Sequence, residues 1–378
     1  MSHGRNPEEV AEAVAADAAI LLVAARELHV PAEYLGVVAL AGDASSRQYF
    51  RVTGPDGPVI AARYPHPFNI GEGAIDRFHR WCEGHPVDGR VTFANDPLCH
   101  VEVTSLFDRF GVPVPEIVAI ADREGVILVD DAGDNLLQAW ALTAPPELVD
   151  DAFDRAVDLI RLFRAASEAA LQSGMVAGEL AFDVDKLAWE LDFWRTNCFS
   201  AYLAKPLAED LDAQVRDESR QLAERLAERP RVLCHRDYHA RNLIVRSGYD
   251  DADGLVVIDF QDARMGPVTY DIVSLVEDPY TELDERTRTR LVARFCDALR
   301  RDNAWPGDDE FALEYDLMTA QRLLKAIGTY THQAAVRRKR DYVPYIRPAA
   351  ETAVRALARL GGFPALREAA SRLLHEQD

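Results

Sequence analysis

His235-Arg236-Asp237-Tyr238-His239-Ala240-Arg241-Asn242, followed by Ile258-Asp259-Phe260-Gln261-Asp262, decides how this chain is read. Apolar Val232-Leu233-Cys234 precedes the first segment and Leu243-Ile244-Val245 follows it. Leu255 to Ile258 leads into the second, so short strands frame both polar loops. Moving a phosphoryl group from a nucleoside triphosphate asks for few protein groups. One carboxylate accepts or orients the attacking hydroxyl, and an amide and a second carboxylate hold Mg²⁺ on the phosphates. Asp237, Asn242 and Asp259 offer these groups in that order, and Asp237 and Asn242 have the spacing of an H-R-D-x-x-x-x-N loop. A lone loop aspartate is usually a turn residue; the strand-loop-strand setting makes the set specific. Asp237 is therefore expected as the base, with Asn242 and Asp259 as oxygen ligands of Mg²⁺.

The neighbours of this set have structural roles to fill. His235 and Arg236 are expected to hold the loop, His239 to be buried and hydrogen-bonded, and Cys234 to be a core thiol. Asp262 fits a further metal-side carboxylate or a turn residue. Asp271 fits an N-cap or a brace for the loop.

Upstream, Val37 to Ala41, Tyr49 to Val52 and Val59 to Tyr64 read as strands, with a turn at Gly54-Pro55-Asp56-Gly57. Residues 66–97 are rich in Pro, Gly, His and Asp and look like an insertion, with a short helical piece near Ile75 to Trp81. His100 to Phe110 has helical spacing and stops at Gly111. Ile117 to Ala121 and Val126 to Val129 are two further strands. Asp130-Asp131-Ala132-Gly133 reads as a linker, after which helices dominate, among them Pro146 to Ala170, Val184 to Leu203, Leu211 to Glu228 and Phe311 to Arg338. The expected fold class is α+β and bilobal. An N-terminal helical extension (1–35) precedes a small β-rich lobe (36–131), and a larger helical lobe (132–378) carries the loop and the acceptor site. Nucleotide would lie in the cleft between lobes.

The chain has no G-x-x-x-x-G-K-[ST] and no G-x-G-x-x-G. Gly42 to Tyr49 stands where a glycine-rich loop would. Ser45, Ser46 and Arg47 there offer backbone N–H groups and a charge to phosphate, or form an ordinary polar turn. A strand lysine is also missing. Arg63 is the cation at the comparable place, either paired with Glu102 on the following helix or simply exposed.

Composition bounds the rest. The chain has 378 residues, 48% apolar and 28% charged, room for two domains and a substantial core. A net charge of −21 disfavours nucleic acid as a partner. No long uncharged apolar run is present, so no membrane span is expected. Residues 7–29 read as an amphipathic surface helix rather than a signal peptide. Five dispersed cysteines without C-x-x-C fit reduced thiols in a cytoplasm. The basic run Arg337 to Arg340 is expected to be a solvated loop.

The loop and strand motifs resemble the aminoglycoside phosphotransferase-like superfamily, and within it most closely the bacterial anomeric kinases for N-acetylmuramate and N-acetylglucosamine. Asp43 to Val52 is similar to the D-A-S-x-R-x-Y-x-R stretch of that group. Cys234 to Val245, Ile258 to Pro267 and Tyr270-Asp271 resemble its catalytic and metal-binding segments. The match runs over roughly residues 36–345, with departures at 66–97, at Arg337 to Tyr345 and in the added N-terminal helix. The resemblance implies a protein-kinase-like fold and transfer of the ATP γ-phosphate to the anomeric hydroxyl of an amino sugar in cell-wall recycling. It also implies adenine binding by hinge backbone at Val129 to Asp131. Glu190, Asp192, Trp194 and Arg195 share a helix that could line the acceptor cleft, with Trp194 stacking on a sugar or filling the core. Arg195 or Arg264 would meet a lactyl carboxylate if the sugar is a muramic acid. An aminoglycoside kinase and a catalytically inactive binding protein of the same fold are the alternatives. Oligomeric state is not legible.

Overall fold

A computed structural model describes residues 7–40, 47–71, 73, 76, 96–246 and 254–375, with side chains from Asp17 onward. Ser45, Ser46, most of the 66–97 insertion and the helical piece expected near Ile75 to Trp81 lie outside the described residues.

The small lobe is a five-stranded antiparallel sheet, β1 (Gly36–Ala39), β2 (Gln48–Gly54), β3 (Gly57–Arg63), β4 (Ile117–Ala121) and β5 (Val126–Asp130), in the order β1-β2-β3-β5-β4. Both faces are covered. Helix α1 (Pro7–Glu27) lays Ile20, Val23 and Ala24 on Phe50, Val52, Ala61 and Leu128. Helix α2 (Pro97–Arg109) packs Leu98 and Cys99 on the opposite face with Ala62, Ile127 and Val129. The alternation follows from the strand period of two, since Ala61 pairs with Leu128 and Ala62 with Ile127. The N-terminal helix is thus amphipathic as expected, but it roofs the sheet rather than standing apart from it. Its end is pinned where Arg26 grips Glu124 through two bonds of 2.6 and 2.9 Å.

The large lobe is helical, with α3 (Pro146–Ala165), α4 (Val184–Arg195), α5 (Glu209–Ala227), α6 (Tyr270–Val276), α7 (Glu285–Arg301), α8 (Asp308–Ala335), α9 (Ile346–Leu360) and α10 (Pro364–His375). The segment expected as one helix from Val184 to Leu203 changes at Thr196 into a wider-wound turn reaching Tyr202. The one expected from Pro146 to Ala170 breaks at Ala166, and Ser167–Gln172 continues it. Two small antiparallel pairs present the polar loops. β6 (Arg231–Cys234) pairs with β9 (Arg264–Pro267), and β7 (Leu243–Val245) with β8 (Leu255–Val257). Within the described residues, no helix is long and apolar enough to cross a membrane.

The connection between lobes is cross-braced. Arg51 on β2 binds Asp131 at 2.5 Å and Asp134 at 2.7 Å, and Arg246 binds Asp130 at 2.8 Å. Val245 N–H donates to Asn135 O at 2.8 Å, and Val257 N–H to Pro113 O at 2.7 Å. The hinge is thereby stitched onto the strands that carry the loop.

Helix α8 crosses α4 closely at Gly328, where a Cβ would sit 2.7 Å from the Cα of buried Trp194. Gly328→Ala is expected to cost about 1–3 kcal/mol by forcing the backbones apart. Urea denaturation measures it, and a variant as stable as the parent would contradict the close approach.

Candidate active site

The two loops form one hydrogen-bonded unit. His235 sits at the end of β6, and its Nε2–H donates to Ile258 O at 3.0 Å. Ile258 N–H in turn donates to Asn242 O at 3.0 Å. Asn242 Nδ2–H donates to Asp237 O at 2.8 Å, closing the loop on itself. Asp271, near the start of α6, accepts from His235 N–H at 2.8 Å and Arg236 N–H at 3.1 Å. Burial holds the Asp271 carboxyl up at about 7 even though the two backbone donors pull it down. Arg236 and Asp259 hold left-handed backbone, with φ of 84° and 61°. Such non-glycine conformations persist where surrounding bonds dictate them, and they cluster at functional sites.

Asp237 faces three cations. Its Oδ1 lies 3.1 Å from Lys325 Nζ and 3.8 Å from Arg322 Nη2, and its Oδ2 lies 3.6 Å from Arg236 Nη1. Burial alone would raise the Asp237 carboxyl; Lys325, Arg236 and Arg322 outweigh it and hold it well below the usual carboxylate range. The group is ionised, about a quarter exposed, and able to accept a hydroxyl hydrogen bond.

Asn242 and Asp259 fit a hard cation. The amide nitrogen of Asn242 is committed to Asp237 O, which leaves the amide oxygen as the atom that would ligate a cation. Asp259 Oδ1 receives Gln261 Nε2 at 2.6 Å and Arg47 Nη2 at 3.1 Å. Among the described residues no cluster of three or more His, Cys, Asp or Glu could hold a metal ion. Two protein oxygens are what Mg²⁺ uses when phosphates and water complete its octahedron. Arg47, buried and reaching across from the small lobe, places a positive charge on the same carboxylate.

Other expected site residues are distributed differently. Val129 lies inside the sheet, paired with Ile60, and Asp131 is held by Arg51 and accepts from Gly133 N–H at 2.9 Å. Arg63 ends β3 opposite Val126. Glu190 is buried, bonded by Gln321 Nε2 at 2.9 Å and 3.6 Å from Lys186 Nζ. Asp192 and Arg195 are engaged elsewhere on the lobe. They pair with each other at 2.7 Å, and Arg195 reaches Asp212 on α5 at 2.5 Å, so their bonds lead away from the loop. Trp194 fills the core and is not a sugar platform. Arg264 is buried against Phe182 and bonded to Asp262. Asp262 lies in the turn closed by Ala263 N–H on Phe260 O at 3.0 Å, and its carboxylate binds both Arg236 and Arg264. His239 is half-buried and edge-on to Tyr280, and loss of water around the ring pushes its imidazolium down to about 3. Its Nδ1 has no hydrogen-bond partner, contrary to the expectation of a bonded ring. The Arg337 to Arg340 run is exposed as expected.

Two groups carried no sequence signal. Lys325 and Arg322 come from α8, whose sequence reads as a mainly apolar stripe. The second is a set of tyrosines beside the loop. Arg241 lies 3.7 Å over the Tyr280 ring and donates to Tyr345 Oη at 2.8 Å and Gln138 Oε1 at 2.7 Å. Tyr280, Tyr330 and Tyr345 contact one another edge-on or tilted. The last of these comes from the region where the family resemblance is loosest.

A small antiparallel lobe, a braced hinge and a helical lobe presenting this loop define a bilobal kinase-like phosphotransferase. The phosphotransferase enzyme family model matches residues 36–311, and the chain belongs to that family. It is 29% identical to the N-acetylmuramate/N-acetylglucosamine kinase of Pseudomonas aeruginosa over 311 residues, covering 79% of this chain and 76% of the relative. It is 27% identical to the protein of the same name from Neisseria meningitidis, over 77% of this chain and 76% of that one. Among solved structures, a putative aminoglycoside phosphotransferase from Ralstonia eutropha shares the fold with a TM-score of 0.55 at 14% identity, covering 94% of this chain and 98% of that one. An amicoumacin kinase solved with AMP-PNP, Ca²⁺ and Ami shares it with a TM-score of 0.53 at 13% identity, over 89% and 88% of the two chains.

Proposed function

We propose that this phosphotransferase moves the γ-phosphate of ATP to the anomeric hydroxyl of N-acetylmuramate or N-acetylglucosamine, within cell-wall recycling. The joining of Asp237, Asn242 and Asp259 through His235, Ile258 and Asp271 carries the phosphoryl-transfer part of the reading. The two relatives at 27–29% identity support the choice of amino sugar. Asp237 accepts the acceptor's hydroxyl proton and sets its direction of attack. Asn242 and Asp259 are the residues that would hold Mg²⁺, which when bound neutralises phosphate charge. The backbone at Val129 to Asp131 receives adenine.

A well-ionised Asp237 is a weak base, and an anomeric hydroxyl is more acidic than an ordinary alcohol, so the two are matched. Positioning and electrostatics then account for most of the rate. The half-buried Tyr280, Tyr342 and Tyr345 offer apolar ring faces beside the loop for a sugar to lie on. ADP release should be measured with Mg-ATP and, separately, N-acetylmuramate, N-acetylglucosamine, glucose and an aminoglycoside. Turnover with the N-acetylated sugars is expected; turnover confined to the aminoglycoside would sink the acceptor assignment.

A further inference from the structure

Helix α8 delivers two cations to Asp237, and they are not equivalent. Arg322 is tethered, its Nε–H donating to Ser274 Oγ at 3.0 Å, and its Nη2 stands 3.8 Å from the carboxylate. Arg236 is committed to Asp262. Lys325, three residues beyond Arg322 and on the same helix face, reaches to 3.1 Å, and Asp237 is the group its ammonium bonds. An ammonium has three N–H donors, so two remain for another oxygen. Its side chain is 14% exposed, enough to touch a bound molecule without being a solvated surface lysine.

Arg47 rests on Asp259 at 3.1 Å, and β3 has Arg63 at its end rather than a cation in its middle. Charge spread over the phosphoryl oxygens in the transition state must be met by fixed positive groups. An acceptor oxygen bonded to Asp237 lies about 2.6–3.2 Å from it, and phosphorus about 3–3.5 Å beyond in a near-attack arrangement. An ammonium bonded to the same carboxylate is therefore within reach of the phosphoryl oxygens.

We propose that Lys325 is a catalytic residue of the transfer, its ammonium bridging the Asp237 carboxylate and the phosphoryl group as that group passes to the acceptor. This rests on Asp237 as the group that receives the acceptor hydroxyl. In the step, the acceptor oxygen forms a bond to phosphorus while the bond from phosphorus to the β,γ-bridging oxygen breaks. That electron pair leaves on ADP, and the hydroxyl proton passes to Asp237. Lys325 keeps its proton throughout and lends N–H bonds where negative charge is being redistributed. Burial lowers its ammonium to about 8 against the pull of Asp237, so it is charged at neutral pH.

The test is steady-state kinetics of Lys325→Met and Lys325→Arg with Mg-ATP and N-acetylglucosamine, with Lys325→Gln replacing the Met variant if that one does not melt cooperatively. The expected result is a kcat about 10²-fold lower for Met, the loss typical of removing one charge-stabilising donor, with KM for ATP changed less than about twofold. Arg should recover most of that loss. A Met or Gln variant with kcat within about threefold of the parent, or a loss confined to KM, would overturn the proposal. Asp237→Asn run alongside separates the two claims. Full turnover in Lys325→Met with none in Asp237→Asn removes Lys325 and leaves the base in place. Full turnover in both removes the base.

Discussion

Asp237→Asn is expected to lower kcat by about 10³-fold or more while the protein stays folded and binds Mg-ATP. The range for losing a positioned general base is about 10²–10⁴. This site belongs toward its upper end because Asp237 has no understudy. Asp262 is committed to Arg236 and Arg264, Asp271 to two backbone N–H groups, and Glu190 to Gln321 and Lys186. The amide preserves shape and still accepts a bond from Lys325, and Arg322 and Arg236 retain Ser274 and Asp262. The fold should therefore survive, as a cooperative melt near the parent's would show. Turnover within tenfold of the parent would remove Asp237 from the chemistry.

Asp262→Ala carries the largest expected effect on stability. Its carboxylate is 6% exposed and binds two guanidinium groups, those of Arg236 at 17% and Arg264 at 2% exposure. Removing one partner of a buried ion pair leaves an uncompensated charge, at a cost of about 3–5 kcal/mol. The loss should also reach activity, because Arg236 is the residue whose left-handed backbone sets up Asp237. Replacing Arg264 with Met in the same chain should recover part of the stability, since it takes away one of the stranded charges. Urea unfolding gives both values. A single-variant loss under about 1 kcal/mol would mean the pair is not holding the loop.

Much of the fold was legible because it is written locally. The strand-turn-strand at Gly54 to Gly57, the helix stop at Gly111 and the strands beside the loop each depend on residues a few positions apart. The triad of Asp237, Asn242 and Asp259 was legible for the same reason. The β6–β9 pairing was not, because Arg264-Met265-Gly266-Pro267 has neither alternation nor β-branched residues, and its strand character comes from its partner. Lys325 and Arg322 were invisible because they lie 88 and 85 positions from Asp237 and only folding brings α8 beneath the loop.

The residues expected on α4 fall on different faces of the helix. Glu190 and Trp194 are four apart and share the inward face, while Asp192 points the other way and Arg195 follows it to Asp212. Helical phase could have separated them; choosing polar residues by type grouped them together. Arg264 reads from the sequence as a long cation near the loop; in the fold it is buried as a partner of Asp262.

Delivery of phosphate from the loop to a sugar's anomeric oxygen leaves a product with a distinctive spectrum. The most direct test is ³¹P NMR of the product formed from Mg-ATP and N-acetylmuramate or N-acetylglucosamine. A sugar 1-phosphate is expected, identified by phosphorus coupling to the anomeric proton. A 6-phosphate, or phosphate found on an aminoglycoside and on neither sugar, would contradict it.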